Sequence, residues 1–175
     1  MPYDQRKGLA YEHELANDIY RASDRKLIPI RAGYSGNQVP PMPDIHLDDG
    51  EVVHALEIKR TKDDVSQIFE TTDLTQLQRF ATQYPRKVYP YLGVRFTRRQ
   101  LILIPMWAKN DGTGLDEVLE NAVTLCPVEA EVTRKNNFSV KRPDTDEWPS
   151  ATKGNDATHV LDRIGALKGE RLDDV

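Results

Sequence analysis

The stretch DIHLDDGEVVHALEIK, Asp44 to Lys59, decides the fold. Two alternating apolar–polar runs flank Asp49-Gly50, a dipeptide that favours a tight hairpin turn. With the turn centred there, Asp48 faces Glu51, Leu47 faces Val52, Ile45 faces His54 and Asp44 faces Ala55. Side chains alternate along a strand and opposite partners share a face. One face then carries Ile45, Leu47, Val52, His54, Leu56 and Ile58, and is a core face. The other carries Asp44, His46, Val53, Ala55, Glu57 and Lys59.

On that second face Asp44 lies diagonally across from Glu57, roughly 7–8 Å apart between Cα atoms, with Lys59 next along the same strand. Two carboxylates so placed converge on one divalent cation, and hard oxygen ligands suit Mg²⁺ or Mn²⁺ better than zinc. Lys59 adds a point charge able to steady a phosphorane-like transition state. A one-residue slip would put Asp44 and Glu57 on opposite faces. An Asp followed by Glu-x-Lys is a loose pattern, and a solvated strand face with an ion pair produces it as well.

Outward from the hairpin, residues 4–22 read as a helix capped by Asp4, and 27–31 as a short strand. Gly8, Glu12, Leu15, Ala16 and Ile19 form one helical stripe, so Glu12 points with the apolar residues. A carboxylate directed there is costly unless it binds a metal or pairs, here with Arg31 or Lys59. The loop RAGYSG after Ile30 offers Arg31, two glycines and the Ser35 hydroxyl, a set able to grip a phosphate or simply to turn the chain. Thr72 to Tyr84 reads as a second helix. Val88–Phe96 and Gln100–Trp107 read as strands, Leu115–Leu125 as a short helix, and Glu129–Val140 as a hairpin split by Asn136-Asn137. The sum is an α/β domain with a mixed sheet over residues 1–142. From 143 to 175 the composition turns to Pro, Asp, Ser, Thr, Gly and Lys, and predicts a poorly ordered acidic tail with one helical turn near His159 to Leu167.

The 175 residues suit a single core, and the lone Cys126 excludes a disulfide framework or a multi-cysteine metal site. Cys126 reads as a small core residue, and the four histidines lack metal-ligand spacing; His46 reads as a surface group on the carboxylate face. No apolar run approaches the roughly 20 residues of a membrane span, and no signal peptide is visible, which predicts a soluble cytoplasmic protein. The net charge of −4 argues against nucleic acid, but it is uneven: residues 1–100 hold 15 basic and 14 acidic side chains, and 101–175 hold 9 and 14. A local basic surface is therefore compatible with the acidic whole.

Arg6-Lys7-Gly8, Tyr11-Glu12-His13-Glu14-Leu15, Ile30-Arg31, Ser35, Pro43-Asp44-Ile45 and Leu56-Glu57-Ile58-Lys59 together resemble the archaeal Holliday junction resolvases, within the PD-(D/E)xK nuclease superfamily. The resemblance runs over roughly residues 6–107. It departs from the family in His13 and in the insert Gly36 to Met42. It implies a restriction-endonuclease-like mixed sheet flanked by helices and a homodimeric, Mg²⁺-dependent endonuclease that cuts four-way DNA junctions. By the resemblance, Glu12, Asp44 and Glu57 are the active-site carboxylates, Lys59 the catalytic lysine, Ser35 the loop serine and Arg31 the basic residue before it. In that scheme Asp44, Glu57 and the Ile58 carbonyl hold one Mg²⁺, with Mn²⁺ able to substitute, and Glu12 holds a second ion. Arg31 and Ser35 contact flanking phosphates, and Arg60, Lys62, Arg86, Lys87, Arg98 and Arg99 carry the duplex arms. The same residues also serve a restriction-like or repair nuclease, or a non-catalytic DNA-binding module on the same scaffold.

Overall fold

The computed structural model describes residues 3–31, 42–62, 65–108, 114–144, 148–152 and 154–172, with side chains for these except at 3–9 and 168–172. The chain runs α1 (Tyr3–Ala22), β1 (Ile28–Arg31), β2 (Ile45–Asp48), β3 (Val53–Thr61), β4 (Ser66–Phe69), α2 (Thr71–Gln83), β5 (Val88–Phe96), β6 (Ile102–Pro105), α3 (Leu115–Leu125), β7 (Ala130–Val132), β8 (Phe138–Lys141) and α4 (Asn155–Leu172). The main sheet has the order β1-β2-β3-β5-β6, and a smaller one the order β4-β8-β7. Within the main sheet β3 and β5 are parallel and the other neighbours antiparallel. A parallel pair requires a crossover, which β4 and α2 supply.

Strand periodicity of two divides the core into layers on either side of the main sheet. Ile45, Leu47, Leu56, Ile58, Tyr91 and Leu103 pack against Leu15, Ala16 and Ile19 of α1 and Ala157, Val160, Ile164 and Leu167 of α4. On the other side Val53, Ala55, Leu92, Val94 and Ile104 meet Leu74, Leu77 and Phe80 of α2, Val118, Leu119 and Ala122 of α3, and Phe69, Phe138 and Val140 of the small sheet. Being covered on both sides, β5 and β6 are nearly continuous apolar runs. Trp107 belongs to this core, its ring 5.5 Å from that of Tyr89 and 5.3 Å from that of Tyr91. No helix among the described residues is long and apolar enough to cross a membrane.

The hairpin register differs from the expected one by two residues. Ile45 pairs with Leu56, His46 with Ala55, Leu47 with His54 and Asp48 with Val53. Four residues, 49–52, form the turn because the acidic side chains hold its amides. Asp48 Oδ1 accepts the Gly50 N–H at 2.8 Å, and Asp49 Oδ1 accepts those of Glu51 and Val52 at 2.9 and 2.8 Å. Gly50 turns the chain with φ +92°, a conformation that favours glycine. A shift of two preserves every face, so the carboxylates stay together.

The tail also differs. Residues 155–172 form α4, and Ala157, Val160, Ile164 and Leu167 are buried on the main sheet. Its anchor is Asp156, 7% exposed, whose carboxylate accepts the Tyr11 hydroxyl at 2.8 Å, Arg95 Nε at 2.7 Å and the Leu101 N–H at 2.7 Å. That one side chain ties α4 to α1, β5 and the start of β6. β4 was not foreseen either.

Candidate active site

Beyond the Ile45–Leu56 pair, β3 runs on past the end of β2, and the backbone there must find another partner. It finds Asp44, whose Oδ2 accepts the Ile58 N–H at 2.7 Å. Asp44 is only 8% exposed. Extending the ladder by one pair sets Asp44 directly across from Glu57 rather than diagonally. The N–H and C=O of a strand residue point to the same edge, so the Ile58 carbonyl also faces the Asp44 side.

Glu57 projects from the face of β3 that carries Val53 and Ala55. Burial, then the carboxylates of Asp44, Asp73 and Glu12, push its pKa well above the usual range, against the pull of Lys59. Glu12 comes from α1 with its side chain 14% exposed and its Oε2 3.6 Å from Arg31 Nη2. Burial and the Asp44 charge raise its pKa from 4.5 to about 6, despite Arg31. The metal and ion-pair readings of Glu12 thus meet in one place: it pairs with Arg31 and still feels Asp44.

Lys59, two residues beyond Glu57 on the same face, is partly exposed but turned onto neighbouring groups. Its ammonium contacts the Asp73 carboxylate, lies 3.5 Å from the Ile68 carbonyl and sits 5.1 Å from the Phe69 ring centre. Asp73 is a member of this cluster that the sequence did not single out. It occupies the third position of α2, where Glu70 and Asp73 form a reciprocal capping box, Asp73 Oδ2 accepting the Glu70 N–H at 3.1 Å. The spacing Glu70-x-x-Asp73 before Leu74 is a readable helix-start signal, but it gives no hint that the carboxylate also meets a lysine.

Glu12, Arg31, Asp44, Glu57 and Lys59 therefore gather at one end of the β2–β3 seam, with Asp73 added. Ser35 and the insert residues 36–41 lie outside the described residues. His46 is not a surface group: it is 4% exposed, its ring centre 6.1 Å from that of Phe80, and burial lowers its pKa. Cys126 is half-buried and its thiol is pushed up to about 11 by burial, which makes it inert near neutrality.

The cations expected to carry duplex arms separate into distinct places. Arg60 is exposed with its guanidinium 5.7 Å from the Tyr11 ring centre, and Lys62 is exposed at the end of β3. Arg86 is bound to Asp48 at 2.6 Å, and Lys87 lies 5.4 Å from the Tyr89 ring centre. Both precede β5, whose first residue pairs with Val53, so they flank the hairpin turn at the end of the sheet away from Lys59. Arg98 is exposed in a turn at φ +63°. Arg99 is 6% exposed and bridges to Ser150, so it is a buried strut rather than part of an open basic surface. Alternation at the turn puts one arginine out and its neighbour in.

Among the described residues no three His, Cys, Asp or Glu side chains form a ready metal cage. The donor set nevertheless suits a hard cation: Glu12, Asp44 and Glu57 offer carboxylate oxygens, and Ile58 a carbonyl. Burial first, and then repulsion among the carboxylates, raise the Glu12 and Glu57 pKa values, and both costs are ones a bound cation would relieve.

No curated protein matches the sequence. Among solved structures, the chain is similar to the 1.6 Å resolution structure of Archaeoglobus fulgidus Hjc, a Holliday junction resolvase from an archaeal hyperthermophile. That likeness has a TM-score of 0.54 and 21% identity over 86% of this chain and 98% of the other, which establishes the shared fold. The family model described as archaeal Holliday junction resolvase (hjc) matches residues 3–137. With so much of the sequence matched, the chain belongs to the archaeal Holliday junction resolvase family and is a nuclease of that kind.

Proposed function

We propose that this resolvase is a Mg²⁺-dependent endonuclease, acting in the cytoplasm as a homodimer, that cuts four-way DNA junctions by phosphodiester hydrolysis. Asp44, Glu57 and the Ile58 carbonyl hold the cation, Mn²⁺ can replace it, and Glu12 completes or extends the site. The bound cation supplies neutralisation of the charge that builds on the phosphoryl oxygens. Lys59, its ammonium held by Asp73, orients the attacking water and meets the developing negative charge. Arg31, paired with Glu12, directly precedes residues 32–41, among which Ser35 would join it on the flanking phosphate. A twofold dimer suits the substrate, because two equivalent sites reach two strands of like polarity.

The observation that carries this reading is the shared site of Asp44, Glu57 and Lys59 on one seam with Glu12 brought in from α1. The test is the purified chain on a labelled four-way junction, with Mg²⁺ and with chelator, beside duplex, single-stranded and flapped DNA. Symmetrical cleavage of the junction that requires the metal is expected. Asp44→Asn and Lys59→Ala proteins should bind the junction and leave it uncut. Undiminished cleavage by either variant overturns the site assignment, and preference for duplex or flap overturns the substrate.

A further inference from the structure

The β7–β8 hairpin has a feature that the site above does not use. Its tip, Thr133 to Asn137, carries Arg134 and Lys135, both exposed, followed by Asn136 at φ +56°. Neither cation is bonded to a carboxylate among the described residues. The tip is also held firmly. The Thr71 hydroxyl lies 2.9 Å from the Lys135 carbonyl, 3.2 Å from that of Asn136 and 3.1 Å from Asn137 Oδ1. The Thr71 N–H donates to the same Asn137 oxygen at 3.0 Å. Within the tip, Asn136 N–H donates to the Thr133 carbonyl at 2.9 Å, as does Thr133 N–H to that of Asn137.

Thr71 is the first residue of α2, and Asp73, two positions on, grips Lys59. By helix geometry the tip therefore lies roughly 10–15 Å from the Lys59 ammonium. At 3.4 Å of rise per nucleotide on one strand, this is about three or four nucleotides along the duplex axis.

We propose that the β7–β8 tip is a preorganised arm that grips backbone phosphates of the DNA a few nucleotides from the cut, through Arg134 and Lys135. The inference rests on the nuclease reading for its ligand. Its geometry is independent: two exposed cations, in no ion pair among the described residues, on a turn bonded to the helix that positions the lysine. A turn fixed before binding loses little entropy when it engages, so its charges contribute fully. Contacts of this kind read the backbone and not the bases, and they release counterions.

The test is equilibrium binding of the full chain to a labelled four-way junction in chelator, as a function of salt, for wild type and R134A/K135A. Each lost phosphate contact flattens the slope of log K against log salt by about 0.9, so the double variant should be shallower by about 1.8. Near 0.1 M salt this corresponds to binding about 60-fold weaker. The R134K/K135R protein should restore the wild-type slope. A control pair of exposed cations elsewhere, K26A/R79A, makes the same change in net charge and should move the slope less. An unchanged slope for R134A/K135A, or an equal change in the control, overturns the proposal. Failure of the wild type to cut in Mg²⁺ overturns the nuclease reading instead, since the slopes are measured without metal.

Discussion

Glu12 makes the structure's electrostatic cost measurable. Its carboxyl titrates near pH 6 in the fold against 4.5 in an ordinary setting, because burial and Asp44 disfavour the charge more than Arg31 favours it. A raised carboxyl pKa means that the native state holds a proton which the unfolded chain has released. That contribution to stability is complete below pH 4.5 and is lost as pH rises through about 6. The rise from 4.5 to about 6 corresponds to about 2 kcal/mol at neutral pH. Glu12→Gln imitates the protonated form at every pH. In chelator it should match the wild type at pH 4.5 and exceed it by about 2 kcal/mol at neutrality, the gain opening between the two pKa values. For a chain of this size that is a rise in Tm of about 4–8 °C.

The assay is thermal or urea unfolding of both proteins across that pH range, with the metal chelated. Saturating Mg²⁺ should shrink the difference, because a cation bound to the native state offsets the same repulsion. A difference between the two proteins that stays flat with pH, or a less stable Glu12→Gln protein at neutrality, refutes the reasoning. The variant should also lose cleavage, which would make the wild-type residue one kept for chemistry at the expense of stability.

Three further outcomes follow from the geometry. Mg²⁺ affinity, measured by calorimetry, should fall as pH drops below about 6, because protons on Glu12 and Glu57 compete with the ion; a flat profile would remove both from the ligand set. Asp73→Asn should lower kcat by about 10- to 100-fold with little change in KM for the junction, since Lys59 loses its partner while the DNA contacts remain; an unchanged kcat would reduce Asp73 to a helix cap. Asp156→Ala should cost about 3–5 kcal/mol in unfolding experiments by stranding Arg95 and releasing α4, and a loss below about 1 kcal/mol would refute the anchoring role.

Much of the fold was legible because local signals were strong. The run Val88–Phe96 and the amphipathic stretch Leu115–Leu125 coincide with β5 and α3. The faces of the β2–β3 hairpin were legible too, since they depend only on residue parity. Its register was not, because the Asp48 and Asp49 carboxylates enlarged the turn. β4 escaped notice because Ser66-Gln67-Ile68-Phe69 is short and half polar, and its partner β8 lies some 70 residues away. In α4 the apolar spacing Ala157, Val160, Ile164, Leu167 was present, but the preceding Pro, Ser and Gly reduced the reading to one helical turn near His159 to Leu167 within a loose tail. Asp73 and the β7–β8 tip share one cause of invisibility. Each gains its meaning from a contact between elements that no periodicity records.

The charges gathered around the seam explain why the separate parts of this site belong together. Glu12, Asp44, Glu57 and Asp73 face two cations, Arg31 and Lys59, so full ionisation leaves two negative charges in a half-buried place. Such a surplus repels a phosphodiester, which is itself anionic. It is removed either by protons, as the raised pKa values of Glu12 and Glu57 express, or by one divalent cation. Only the second leaves Lys59 charged beside ionised carboxylates at neutral pH, the state in which the backbone can approach. The remote cations then have a distinct task. On the proposed reading, those on Arg98, Lys62 and the β7–β8 tip would attract DNA from outside the acidic seam, where no metal is needed. Affinity and chemistry would in this way be carried by different charges, and chelation should separate them: cleavage should stop while the salt-dependent grip persists.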